Sequence, residues 1–261
     1  MRISKYLYLI TGFIVVVAIA CLFLTLLPEN SVDTEVGDYI VKGPADAVSA
    51  MLQEKPAVLF VGGQGTVSVL RHADKANQYE AGLAWSVHKP EAAGKKELVD
   101  ITSYGYNNVA LYGTSAGKAY IKYREKGKKH GLSYITESIR EVYVIPVKME
   151  LLTASEVVYA GDEVVYQYYY KPAGEWTQEG YCYEVNGECY VIPAEQFSQQ
   201  DFEALWAETS EALLHTAVTF ECLLPVDDRR ATVYTDRPGE YSVICTVQGT
   251  DIRASAPLTV E

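Results

Sequence analysis

From Lys55 onward the apolar positions recur mostly at a spacing of two, the period of a strand with one buried face. Ala57-Val58-Leu59-Phe60-Val61 is a short apolar run closed by Gly62-Gly63. Alternating runs follow at Thr66–Leu70, Leu83–Val87, Val109–Tyr112 and Lys118–Tyr123, and Arg140–Val147 ends the group. The pattern restarts at Met149–Leu152, passes the turn signal Gly161-Asp162-Glu163, and continues through Val164–Tyr170. Near the C-terminus Tyr241, Val243, Cys245 and Val247 share one face, and Ala256–Val260 supplies a last strand. Asn186-Gly187 sits at the centre of Tyr181–Tyr190 and predicts a two-residue hairpin turn. Short strands punctuated by Gly, Asn and Pro predict a mainly β fold of the sandwich kind.

The period changes in two places. Within residues 196–216, Phe202, Leu205, Trp206, Leu213 and Leu214 fall at helical spacing, while Gln200, Glu203 and Glu208 take the outer side. One helix is predicted from about Gln199 to His215, capped by Ser198 or Asp201 and packed on the sandwich by its Phe202, Leu205 and Trp206 face. The other change is at the start. Tyr6–Leu27 carries no charged side chain, and at about 1.5 Å per residue it is roughly 33 Å long, enough to cross a bilayer core. It is too long for a signal-peptide core and ends Leu26-Leu27-Pro28, without small residues at a cut site. Arg2 and Lys5 precede it, and Glu29, Asp33, Glu35 and Asp38 follow. The expectation is a single-pass membrane anchor over residues 1–28, N-terminus in the cytoplasm and the remainder extracytoplasmic. An acidic stretch poor in large apolar side chains, residues 29–54, reads as a tether, with Ala45–Leu52 spaced for a short helix.

Gly65-Thr66-Val67-Ser68-Val69, then Leu83-Ala84-Trp85-Ser86-Val87, then Val109 to Ile121 with Gly113-Thr114-Ser115-Ala116-Gly117, resembles a bacterial immunoglobulin-like (Ig-like) domain of the group 2 type. The resemblance implies a sandwich over residues 55–147, with Gly117 at a positive-φ turn, Ala119 and Ile121 inward, and Trp85 between the sheets. The run Pro238–Val247 followed by Ala256–Val260 resembles the closing strands of extracellular Ig-like modules, implying a second sandwich over residues 148–261. The expected architecture is an N-terminal transmembrane helix and two tandem Ig-like sandwiches, the second with a helical insertion.

Composition supports strands: Tyr numbers 21 against 6 Phe and 3 Trp, and Tyr favours pleated, half-exposed surfaces. The net charge of −12 is unevenly spread. Pro28–Val147 carries 14 basic and 14 acidic residues, whereas Lys148–Glu261 carries 6 basic and 20 acidic. Such a field argues against nucleic acid as a partner. Cys182, Cys189, Cys222 and Cys245 all lie in the acidic half, and outside the cytoplasm an even count predicts two disulfides, Cys182 with Cys189 and Cys222 with Cys245.

No catalytic constellation emerges. Gly113 to Lys118 has three residues between its glycines where a phosphate loop has four, and Gly62-Gly63-Gln64-Gly65 precedes a strand instead of a helix. His72, His88, His130 and His215 are too dispersed for a metal site or a nucleophile-activating pair. The pairs Asp227-Asp228 and Asp162-Glu163 lack calcium-loop spacing, so neither metal nor cofactor is expected. The one dense basic cluster is Lys118, Lys122, Arg124, Lys126, Lys128, Lys129 and His130 on a hairpin. It is either a solvated tip whose lysines discourage edge-to-edge pairing or a contact for anionic lipid head groups, wall polymer or the acidic half of a neighbouring copy. The expected function is non-enzymatic: structural, adhesive or protein-interaction work at a bacterial cell surface. The alternative is a carbohydrate-binding module that stacks sugars on Trp176, Tyr168 to Tyr170, Tyr181 and Tyr183.

Overall fold

A computed structural model describes residues 31–36, 39–44, 55–68, 85–88, 97–105, 108–129 and 132–261. Strand β1 (Ser31–Val36) pairs antiparallel with β2 (Tyr39–Pro44). Part of the expected tether is therefore a pair of strands: β-branched Val32, Thr34 and Val36 alternate with Ser31, Asp33 and Glu35. The expected helix over Ala45–Leu52 lies outside the described residues.

Seven strands follow: β3 (Ala57–Phe60), β4 (Gln64–Ser68), β5 (Trp85–His88), β6 (Val99–Tyr104), β7 (Asn108–Gly113), β8 (Gly117–Lys129) and β9 (Leu132–Ile145). They form two sheets, ordered β3-β9-β8-β5 and β4-β7-β6, with β3 parallel to β9. In the lettering of Ig sandwiches β4, β7 and β6 fill places B, E and D, and β9, β8 and β5 fill G, F and C. The second half repeats the plan. Strands β10 (Val147–Thr153) and β12 (Glu163–Pro172), with β18 (Thr232–Tyr234) and β17 (Val226–Asp227), form the order β10-β12-β18-β17, places A, B, E and D. Strand β11 (Val157–Val158) lies parallel to β20 (Arg253–Val260), which is followed by β19 (Gly239–Val247) and β16 (Val218–Glu221), places G, F and C. The topology is thus mainly β, two sheet-rich Ig-type halves in tandem.

Between β12 and β16, where an Ig domain has a loop, the chain inserts a three-stranded sheet and a helix. The sheet is β13 (Glu175–Trp176), β14 (Gly180–Val185) and β15 (Glu188–Pro193); the helix is α1 (Gln199–Leu214). Asn186 and Gly187 turn the β14–β15 hairpin at φ +54° and +85°, the left-handed pair a type I′ turn needs. Ser198 caps α1: its hydroxyl accepts from the Asp201 backbone N–H, and the Asp201 carboxylate accepts from the Ser198 backbone.

Backbone proximity divides the chain into two compact units. One comprises residues 1–54, 70–86 and 122–139; the other comprises 55–69, 87–121 and 140–261. In the first, Trp85 is buried and lies 4.8 Å from the Tyr123 ring, and Lys122 and Arg124 both pair with Glu137. In the second, the core of β3–β9 is built from Leu59, Val67, Val109, Leu111, Ala119, Ile121, Val142 and Val144, and that of β10–β20 from Val164, Val233, Val243, Cys245, Val247 and Leu258. Ala119 and Ile121 point inward as expected, and Gly117 turns at φ +144°.

Two expectations are corrected. Cys182, Cys189, Cys222 and Cys245 are all free thiols. The β14–β15 register sets Cys182 against Val191 and Glu184 against Cys189, so the two cysteines are diagonal neighbours. Diagonal Cα atoms stand about 7–8 Å apart, beyond the 4.4–6.8 Å span usual for a disulfide. Cys245 faces Phe220, not Cys222, and burial raises its thiol pKa to about 11, with Asp228 adding to the shift. The second correction concerns the membrane. Among the described residues no helix is long and apolar enough to cross a bilayer; α1 carries Glu203, Glu208 and Glu211 on its exposed side. Tyr6–Leu27 lies outside the described residues, and the single-pass anchored description does not carry over to the structure.

Candidate functional site

The link between the two sandwiches is one residue. Strand β9 ends at Ile145 and β10 begins at Val147, leaving Pro146, whose ring fixes φ. The Pro146 carbonyl accepts from the Ala173 N–H at 2.8 Å. The β10–β12 register pairs Val147 with Pro172, so β12 ends beside the link and everything inserted after it emerges next to the first sandwich. Chain topology thus delivers residues 173–217 to the joint, and their aromatic content holds them there.

Phe60, at the end of β3, is the centre of the contact and is 0 % exposed. Phe202 and Trp206 of α1 meet its ring edge-on, with centroids 5.2 and 5.1 Å away. Such pairs add about 0.5–1.5 kcal/mol each beyond the area they bury. Phe202 also lies 4.6 Å from Tyr181 and 5.7 Å from Trp176, so the insertion's own sheet and helix share this cluster. Further along α1, Thr209 and Leu213 are buried against the β3–β4 turn. Gly62 turns there at φ +82°, and a Cβ on it would collide with Leu213 Cδ2. One on Gly63 would lie 2.7 Å from Thr209 Oγ1.

Two more contacts lie apart from the helix. The Tyr183 hydroxyl of β14 donates to the Gly117 carbonyl at 3.1 Å, a buried bond. Burial, with Tyr143, Tyr190 and Tyr181 nearby, holds the Tyr183 phenol well above its usual pKa. The β19–β20 turn reaches the β7–β8 turn, where the Asp251 N–H donates to the Thr114 carbonyl at 3.2 Å. Ile252 beside it is buried.

Lys118, expected in the basic cluster, belongs to this region. Its ammonium lies 2.6 Å from Glu141 and over the Tyr143 and Tyr120 rings, 5.1 and 5.6 Å from their centroids. Burial opposes its charge, but the Glu141 hydrogen bond and the tyrosines outweigh it, so Lys118 titrates above an ordinary lysine. Lys122 and Arg124 are engaged by Glu137 at 2.9 and 3.3 Å. Lys126, Lys128 and Lys129 continue the backbone of β8, their side chains lying outside the described residues. Trp176 is half-buried, edge-on to Tyr181 and Phe202. Among the described residues no group of three or more His, Cys, Asp or Glu side chains is placed to hold a metal. What the joint shows is aromatic and aliphatic packing with two hydrogen bonds beside it.

Sequence reasoning missed Phe60, Gly62, Tyr183, Thr209 and Leu213 as a set. Gly62-Gly63 read only as a strand stop. What could have raised their rank is Gly62-Gly63 after an apolar strand, together with an inserted helix too apolar on one face to stay uncovered.

No protein-family model matches the chain, and no curated protein matches it. Among solved structures the chain is similar to the Yersinia pseudotuberculosis adhesin InvE, at 12 % identity over 79 % of this chain and 57 % of that one, with a TM-score of 0.26. The Escherichia coli adhesin FdeC gives 13 % over 80 % and 61 %, with a TM-score of 0.24. The I9–I11 tandem of titin gives 12 % over 80 % and 64 %, with a TM-score of 0.26. The chain spans less than two thirds of each of these three. TM-scores this low carry no inference, and the Ig-type assignment stands on strand order alone.

Proposed function

We propose that this chain is a non-enzymatic, extracytoplasmic module of two Ig-type domains, residues 55–147 and 148–261, with a structural, adhesive or protein-interaction role at a bacterial cell surface. The observation that carries this is the joint. A buried aromatic contact and a one-residue link are spent on holding two sandwiches end to end, an arrangement that presents surfaces at a set spacing and has no use for substrate turnover. The partner is a protein or wall polymer met by what the joint leaves uncovered. The β8–β9 hairpin, with Lys126, Lys128 and Lys129 towards its tip, is the proposed contact for an anionic partner, because Lys118, Lys122 and Arg124 already face carboxylates. Trp176, with both neighbours against its ring, is a less open platform for sugar than its sequence suggested.

Immunolabelling of intact cells tests the proposal. Antibodies against the second sandwich are expected to label the chain without permeabilisation; labelling that requires permeabilisation removes the surface role.

A further inference from the structure

We infer that the insertion between β12 and β16 is an interaction surface whose partner is the first sandwich of the same chain, and that it acts as a splint holding the two sandwiches at one fixed angle. The inference deepens the module reading above and rests on it. Domains joined in one chain move relative to each other by default unless their interface is large and apolar. Here the default is overridden at four places. Pro146 permits no slack. The helix seats Phe202 and Trp206 on Phe60, and Leu213 on the Gly62 turn. The β14–β15 hairpin holds Gly117 through the Tyr183 hydroxyl, and the β19–β20 turn holds Thr114 through the Asp251 N–H.

These contacts fall on two segments of the first sandwich: Phe60 with the β3–β4 turn that follows it, and the stretch from Thr114 to Gly117 that turns β7 into β8. A swing about either segment breaks the contacts made at the other. A hinge motion would expose Phe60, Phe202 and Leu213 together and leave the Tyr183 hydroxyl and the Gly117 carbonyl to find water. The insertion's own composition agrees with this assignment. Its inward stripe, half-buried Phe202 and Trp206 and buried Thr209 and Leu213, recurs at i, i+4, i+7 and i+11, and all four meet the first sandwich. The opposite face, with Glu203, Glu208 and Glu211, is left to solvent.

Spin-label distances in the full chain test the splint without any partner present, so failure of the surface role and failure of the splint are read separately. Labels are carried on a ketone-bearing unnatural residue at Ser103 and at Glu240, both exposed and one in each sandwich, because the native thiols would take a cysteine reagent. A single narrow distance population is expected. In a Phe202→Ala, Trp206→Ala double variant the distribution is expected to broaden at least twofold, while a pair within the second sandwich, Glu163 and Glu240, keeps its native distance. A broad distribution in the native chain overturns the inference whatever the variant does. So does an unchanged narrow one in the variant.

Discussion

Phe60→Ala is expected to destabilise the chain by about 3–5 kcal/mol, the range for truncating a fully buried phenylalanine. For a structured region of this size that corresponds to a fall in melting temperature of roughly 6–20 °C, at about 2–4 °C per kcal/mol. The ring has no exposed surface and is met by two aromatic side chains of α1. Its removal opens a cavity lined by β3 on one side and the helix on the other. Neither side can collapse freely, since β3 is held by four paired positions of β9 and α1 by its cap and its neighbours in the cluster. The effect is therefore expected near the upper end of the range. Thermal denaturation monitored by far-ultraviolet dichroism measures it; a loss below about 0.5 kcal/mol, the scale of an ordinary surface substitution, would show that Phe60 is not the centre of the joint.

Gly62→Ala is expected to be nearly as costly although it adds a single methyl group. The backbone there has φ +82°, a left-handed conformation that costs a non-glycine residue about 1–2 kcal/mol. The new methyl would also collide with the buried Leu213 side chain of α1, an overpacking of about 1–3 kcal/mol. Gly187→Ala is the control. Gly187 has φ +85° and open space where a Cβ would stand, so it carries the conformational cost without the collision. The difference between the two variants in denaturant midpoint isolates the contact between α1 and the β3–β4 turn. Equal costs would mean that the helix does not press on that turn.

Much of the scaffold was legible because one-sided burial writes itself as alternation. Val109 and Leu111, Ala119 and Ile121, and Val243, Cys245 and Val247 all face inward as their spacing predicts, and α1 begins within a residue of where Ser198 and the 3.6-residue period place it. Strand β6 escaped notice because Val99 to Tyr104 is polar and exposed over most of its length. Strands β11, β13 and β17 are two residues each, too short for any period to show. The disulfides were misjudged because an even cysteine count says nothing of register, and a step of two along a ladder puts paired thiols out of reach. The joint was the least legible part. Its contacts bring Phe60 to Phe202 and Gly117 to Tyr183, pairs far apart in sequence, and each residue alone reads as ordinary core, turn or surface. A local pattern identifies which face of a helix is buried; it does not say that the covering partner is the preceding domain.

Differential scanning calorimetry of the unmodified chain tests the central claim most directly, that two Ig-type sandwiches are joined into one body by an inserted aromatic splint. A single transition whose calorimetric and van't Hoff enthalpies agree is the predicted result. Two resolved transitions, one for each sandwich, would contradict it.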